Sequence, residues 1–240
     1  MNHANSHSRT ATSVAVFVII AFAIVLVSAW HRVNENAERL KVINNVRQVV
    51  MGLRNYADSY GRLPPANFVN FEGEPTVSWR GPTAQFSQAG PLLNITLTES
   101  WRSDQNRKIR LDKPYMFCFQ PSDRGETNIL GITWEDTAFG VGSPTLIDAD
   151  TIVVIEVVNS NHHWLEPGDV AINDLPTDNT PVSVLPEIGD REFVIGFFDA
   201  EAWRLSTNVP CALLRQFLLV SEAKKHQREV LLEPYRIGTR

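Results

Sequence analysis

The sequence predicts an α+β fold: a long N-terminal helix, a loop-rich domain with a central strand and a hairpin, and a second helix near the C-terminus. Three observations carry this. No Pro or Gly falls between Val14 and Met51, the run Thr151–Val158 (TIVVIEVV) is β-branched and apolar, and Val209–His226 has helical apolar spacing.

The first element is the helix, expected over Thr12–Asp58. Val14–Val27 is continuously apolar and uncharged, and with its neighbours it reaches the length needed to cross a hydrocarbon core. Residues 12–30 are thus expected to be a transmembrane span between a tail (1–11) and an amphipathic extension (31–60). The bilayer is the partner the sequence names first, and Trp30 stands where an interfacial aromatic is expected. A cleaved signal peptide ending at Val27-Ser28-Ala29 is the alternative reading. Beyond Trp30, Val33, Ala37, Leu40, Ile43, Val46, Val50, Leu53, Ala57 and Tyr60 recur at three- and four-residue intervals, forming one apolar stripe. The Gly61-Arg62-Leu63-Pro64-Pro65 run ends the helix. Arg9 lies on one side of the span and Arg32, Arg39 and Lys41 on the other, so charge alone fixes no orientation.

Residues 61–240 are expected to form the folded α+β domain. Between Phe68 and Gly142, Pro, Gly, Asn and Ser separate short apolar runs, predicting loops with brief strands such as Tyr115–Phe119 and Ile129–Trp134. Thr151–Val158 is predicted as a central strand, residues 165–191 as loop, and Phe193–Phe198 with Ala202–Leu205 as a hairpin around Asp199-Ala200. The last helix would bury Leu213, Leu214, Phe217 and Leu218.

Composition narrows the function classes. The 240 residues are 43% hydrophobic and 20% charged, with formal net charge −5. No Lys/Arg stripe is present, which argues against nucleic acid as a partner. The two cysteines, Cys118 and Cys211, exclude a Cys-rich zinc site and a disulfide-dense scaffold. They are read either as one bridge across the domain or as two buried thiols.

Several motifs in order resemble a known family. Asn44-Asn45-Val46-Arg47-Gln48, Asn55-Tyr56 and Tyr60-Gly61-Arg62-Leu63-Pro64-Pro65 are similar to its N-N-L-K-Q and N-Y-x-x-x-Y-G-x-x-P-P pattern. Ser78-Trp79-Arg80 matches S-W-R, and Trp101 through Asn106 resembles W-D-S-P-x-N. Phe117 with Pro121-Ser122-Asp123 is similar to F-x-C-P-S-D, and Thr137-Ala138-Phe139 matches T-A-F. Glu156-Val157 and His163-Trp164-Leu165-Glu166-Pro167-Gly168-Asp169 resemble E-V and H-W-x-E-P-x-D. Phe198-Asp199 is similar to its F-A-D-G-S-V hairpin. The chain thus resembles the pseudopilin-G-like domain-of-unknown-function family (DUF fifteen-fifty-nine) of planctomycete-type bacteria over about residues 40–220. That resemblance implies a pilin-like topology, a long helix laid against a small antiparallel sheet, with a single-pass anchor in the inner membrane, a domain outside the cytoplasm, and other envelope or pseudopilin-like proteins as partners. The sequence departs from the pattern in lacking the pilin-type G-F-T-L-I-E start and the H-x-G-G before the hairpin. Ala200 stands where the hairpin Gly is usual, and Cys118 precedes the motif's Cys position by two.

The densest polar constellation is Glu156, His162, His163, Glu166 and Asp169. These residue types can hold a divalent cation, but their spacing fits no defined metal motif, and turn-capping carboxylates around a core Trp164 are the plainer reading. Ser122 beside Asp123 lacks a G-x-S-x-G elbow and reads as a capped turn. Asp148 and Asp150 read as loop acids, and Trp79, Trp101 and Trp134 as core or as a carbohydrate platform. No catalytic constellation and no cofactor motif stands out. The expected role is a structural or interaction protein that is not an enzyme, the alternative an extracytoplasmic module for glycan or calcium.

Overall fold

The computed structural model describes residues 4–87, 94–120, 122–189 and 192–238, with side chains described from residue 20 onward. Helix α1 runs Ala4–Tyr60, longer at both ends than the predicted Thr12–Asp58, and it contains no Pro. Gly61 takes the left-handed conformation (φ 71°) and donates its N–H to Ala57 O at 2.7 Å, the C-terminal stop that glycine alone adopts without strain. The chain divides into two units, Met1–Lys41 and Val42–Arg240.

In the first unit, Ile20, Phe22, Ile24, Val25, Leu26, Val27, Trp30, Val33 and Leu40 are all exposed. The apolar stripe read from the sequence is therefore not buried along its whole length. Among the described residues, no helix is long and apolar enough to cross a membrane. The expected tail (1–11) and the first part of the expected span (12–30) lie outside the described side chains.

The second unit begins with the last turns of α1. Val46, Val49, Val50, Leu53 and Ala57 are buried, whereas Tyr60 is exposed. A hairpin follows from β1 (Asn67–Val69) and β2 (Pro75–Ser78). Three short helices, α2 (Arg80–Gln85), α3 (Arg107–Leu111) and α4 (Ala138–Val141), occupy the stretch read as loop. The main sheet contains β3 (Ile129–Thr133), β4 (Ile152–Glu156), β5 (Val170–Ala171), β6 (Phe193–Phe197) and β7 (Ala202–Leu205), in the order β5-β3-β4-β6-β7. The expected antiparallel sheet is corrected to a mixed one, since β5 runs parallel to β3. The cause is a contact across 38 residues: Asp169, just before β5, accepts the Gly131 N–H of β3 at 2.7 Å and pins the chain alongside it. Tyr115–Phe119 is a turn, not a strand, closed by Phe117 and Cys118 N–H groups on Pro114 O.

Alternation along the strands sorts their side chains onto two faces. Val154, Val194 and Ala202 join Val46, Val49, Val50 and Leu53 in one core. Ile155, Ile195, Phe197, Trp203 and Leu205 join Cys211, Leu214, Phe217 and Leu218 of α5 (Cys211–Leu218) in the other. Each buried Val, Leu, Ile or Phe among them contributes about 1.5–3 kcal/mol. Gly196 of β6 permits the first core: a Cβ there would stand 2.8 Å from Val46, Val50 and Val154 side-chain carbons.

The predicted Val209–His226 helix is interrupted. α5 ends at Leu218 and α6 (Val220–Ala223) starts anew after an extended Leu219. Asp136 causes the break, taking Val220 N–H on its backbone oxygen and Ser221 N–H on its carboxylate. These bonds replace helical partners and cap the new N-terminus. After α7 (Arg228–Leu231), the chain pairs with β7 through Ser206 N–H to Tyr235 O and Ile237 N–H to Arg204 O, both 2.8 Å.

Candidate functional site

Two sequence motifs meet in the core. Arg80, opening α2, and Asp169 form an ion pair at 2.7 Å, with side chains 0% and 1% exposed. The guanidinium also donates to Trp164 O (3.1 Å), Glu166 O (3.2 Å) and Gly168 O (2.8 Å). Asp169 additionally accepts from Trp79 Nε1 (3.1 Å) and Gly131 N–H. Burying a charge is costly unless it is paired and fully hydrogen-bonded, and both conditions hold here. This network fastens the 163–169 turn to α2 and to β3. It is structural, and Asp169 is fully committed to it.

Around that turn, each metal candidate has its own protein partner. His163 Nδ1 accepts the Leu165 N–H at 3.1 Å, so Nε2 carries the proton and donates to Arg110 O at 3.0 Å. Burial pushes the imidazole pKa down to about 4, against the hydrogen bond to Arg110 and the nearby Glu166. The neutral ring stacks on Trp101, centroids 4.8 Å apart. Glu166 accepts the His163 N–H at 3.1 Å, as a turn-capping acid does. Glu156 lies on β4 and accepts the Val194 N–H of β6 at 2.9 Å. His162 stands 4.0 Å from Glu166. Among the described residues, no group of three His, Cys, Asp or Glu is placed to hold a metal ion.

Beside this turn lies a cleft of about 380 Å³. One wall is the Trp101–His163 stack, and α3 with the loop after it forms another, bringing Arg110 and Lys113 to the cleft. Trp164 Nε1–H donates to Asp112 O at 2.7 Å and holds that loop against the turn. Arg102, 4.7 Å over the Trp101 ring, and Arg124 bring the cationic side chains lining the cleft to four; Asp123, Glu126 and Glu166 supply three carboxylates.

The other residues singled out from sequence hold the scaffold. Buried Asn106 organises its loop, accepting Thr96 N–H and donating to Thr96, Glu99 and Ser100 carbonyls. Asn55 Nδ2 donates to Phe86 O, while the Tyr56 ring packs tilted against Tyr60 and edge-on against Phe86, burial raising its hydroxyl pKa. Pro64 is buried and Pro65 and Pro167 are half-buried; Pro121 lies outside the described residues. Ser122 accepts Arg124 N–H and donates to Glu126 at 3.1 Å, a capped turn as expected. Asp148 accepts the Asp150 N–H in a turn. Trp79 is wholly buried, Trp101 is covered by His163, and Trp134 is 47% exposed, so the three form no common platform. Cys118 and Cys211 are both free and belong to different cores. Burial pushes the Cys118 thiol up to about 12.

Sequence reading missed a second cluster, around Arg228. Its guanidinium meets Asp199 at 2.5 Å and Asp150 at 3.3 Å, and lies 4.5 Å over Phe197. Burial raises the Asp199 carboxyl, but hydrogen bonds from Arg228 and the Glu201 N–H outweigh it and leave the carboxyl below its usual range. Asp150, where burial prevails, is raised. Apart from the adjacent Glu229, nothing local marks Arg228, since Asp199 and Asp150 lie 29 and 78 residues away. The Arg110, Lys113 and Arg124 charges were equally unmarked, being spread through a segment with no periodicity.

No curated protein and no solved structure matches the chain. A family described as protein of unknown function (DUF1559) matches residues 32–165, more than half of the chain, and the protein belongs to that family.

Proposed function

We propose that this protein is a membrane-anchored, extracytoplasmic structural or interaction protein of pseudopilin-like build, without enzymatic activity. The observation that carries the reading is the apolar segment Val14–Val27 on the same helix that enters the core at Val46. Ile20, Phe22, Ile24, Val25, Leu26 and Val27 are exposed, and covering six such side chains is worth on the order of 10 kcal/mol. Lipid is the solvent that covers every side of a helix at once. The long helix against a sheet is consistent with a pilin-like topology. The absence of an acid before Glu35 removes the intramembrane charge that a filament subunit would pair, favouring a free-standing anchor.

The test is extraction of membranes from cells producing the full-length protein. Under this reading alkaline carbonate leaves it in the pellet, detergent releases it, and protease added outside the cytoplasmic membrane digests the domain. Release by carbonate, or a mature chain beginning at Trp30, would refute the anchor. Crosslinking in intact membranes then separates a solitary protein from one recovered with other envelope proteins. A second reading, a ligand-binding module on the same scaffold, is favoured by the cleft beside His163. Its calcium version has no support among the described residues, because Glu156, His163, Glu166 and Asp169 are separately engaged.

A further inference from the structure

We infer that the cleft bounded by the Trp101–His163 stack binds a monoanionic, polyhydroxylated solute of the sugar-acid class. The inference rests on the ligand-binding reading and is independent of the membrane anchor.

Of the four cations, Arg102 is paired with Glu166 at 3.7 Å, while two others are held by backbone carbonyls. Arg110 donates to the Arg102 carbonyl at 2.6 Å, and Lys113 donates to the carbonyls of Ser122 and Asp123 at 2.8 and 3.0 Å. Both cations are thus positioned by neutral acceptors, and among the described residues neither they nor Arg124 form an ion pair. In a protein of net charge −5, such a group concentrates positive potential where a carboxylate could be received, and guanidinium groups bind carboxylates through paired N–H bonds.

The same lining limits the anion. Asp123, Glu126 and Glu166 also border the cleft, with Asn161 at its edge. Three carboxylates would repel a compact polyanion such as phosphate. They are good acceptors for hydroxyl groups, and Asn161 offers both donor and acceptor. A sugar acid presents one carboxylate and several hydroxyls, which matches cations and acceptors together. The cleft's volume of about 380 Å³ is within the range of small-molecule sites.

The walls are rigid enough for recognition. His163 is tied at both ring nitrogens, to Leu165 and to Arg110, and Trp164 is tied to Asp112. Trp101 is covered by His163 and Arg102, so affinity would come from polar groups.

The experiment is calorimetric titration of the full-length protein, in mild detergent, with glucuronate, neutral glucose and inorganic phosphate in parallel. Glucuronate is expected to bind in the millimolar range or tighter, weakening as salt is added, with glucose and phosphate at least tenfold weaker. The exposed Arg124→Gln exchange is expected to weaken glucuronate about tenfold or more without moving the melting temperature, whereas Arg124→Lys keeps part of the affinity. Equal binding of glucose, preferential binding of phosphate, or unchanged glucuronate affinity in Arg124→Gln would overturn the assignment while leaving the ligand-binding reading standing. Silence with all three probes would overturn the assignment and count against that reading for this cleft.

Discussion

Asp169→Asn preserves side-chain size and removes one buried charge. In the native protein the carboxylate receives Arg80, Trp79 Nε1–H and the Gly131 N–H, while Arg80 is wholly buried. The amide leaves the guanidinium without a counter-charge and turns an N–H₂ group toward at least one existing donor. Breaking a buried pair by removing one partner costs about 3–5 kcal/mol. Arg80 retains the carbonyls of Trp164, Glu166 and Gly168, which places the loss near the lower limit, about 3 kcal/mol. For a chain of this size that corresponds to a melting temperature lower by roughly 6–12 °C. Urea or thermal unfolding of the full-length protein measures it, with the exposed Lys41–Glu38 pair as the control. A loss below about 1 kcal/mol, the range of exposed pairs, would refute the view that this network fastens the 163–169 turn. The double variant Arg80→Met, Asp169→Leu sharpens the test. A simple buried pair often tolerates such an exchange, but here three carbonyls and two N–H groups would lose their partner, so no recovery is expected.

Three further outcomes follow from the packing and the titrating groups. Gly196→Ala drives a methyl to 2.8 Å from Val46, Val50 and Val154 and is expected to destabilise by about 1–3 kcal/mol, read from the urea midpoint. Ala200 occupies a left-handed position (φ 71°) in the β6–β7 turn, so Ala200→Gly should stabilise by roughly 1 kcal/mol, and a loss instead would contradict that strain. His163 holds a folded pKa of about 4, below its unfolded value of 6.5. Its neutral form therefore costs nothing above pH 6.5, and as pH falls toward 4 the unfolded chain takes up the proton first. The stability lost across that window is roughly 1–2 kcal/mol after allowing for solvent screening, and it should flatten in His163→Asn melts over the same pH range.

The pattern of residues along the chain was sufficient for its local elements. The uninterrupted α1, its stop at Gly61, the central β4 and the β6–β7 hairpin are each specified by neighbours within a few residues: a 3.6-residue stripe, a left-handed glycine, a β-branched run, a short turn. The family motifs were legible too, but not what they do. Arg80 and Asp169 stand 89 residues apart, and no periodicity links them. Only the folded chain shows that the motifs around them close one buried network. The same holds for the parallel β5, set by Asp169 reaching Gly131, and for the break at Leu219, set by Asp136 from a distant loop. The cleft, too, exists only because α3 and the 163–169 turn are tied together across the domain. Sequence determined what each segment prefers through short-range backbone and side-chain geometry. Tertiary structure decided which buried polar groups must satisfy one another, because a hydrogen-bond partner is chosen by proximity in space and leaves no local signature in the chain.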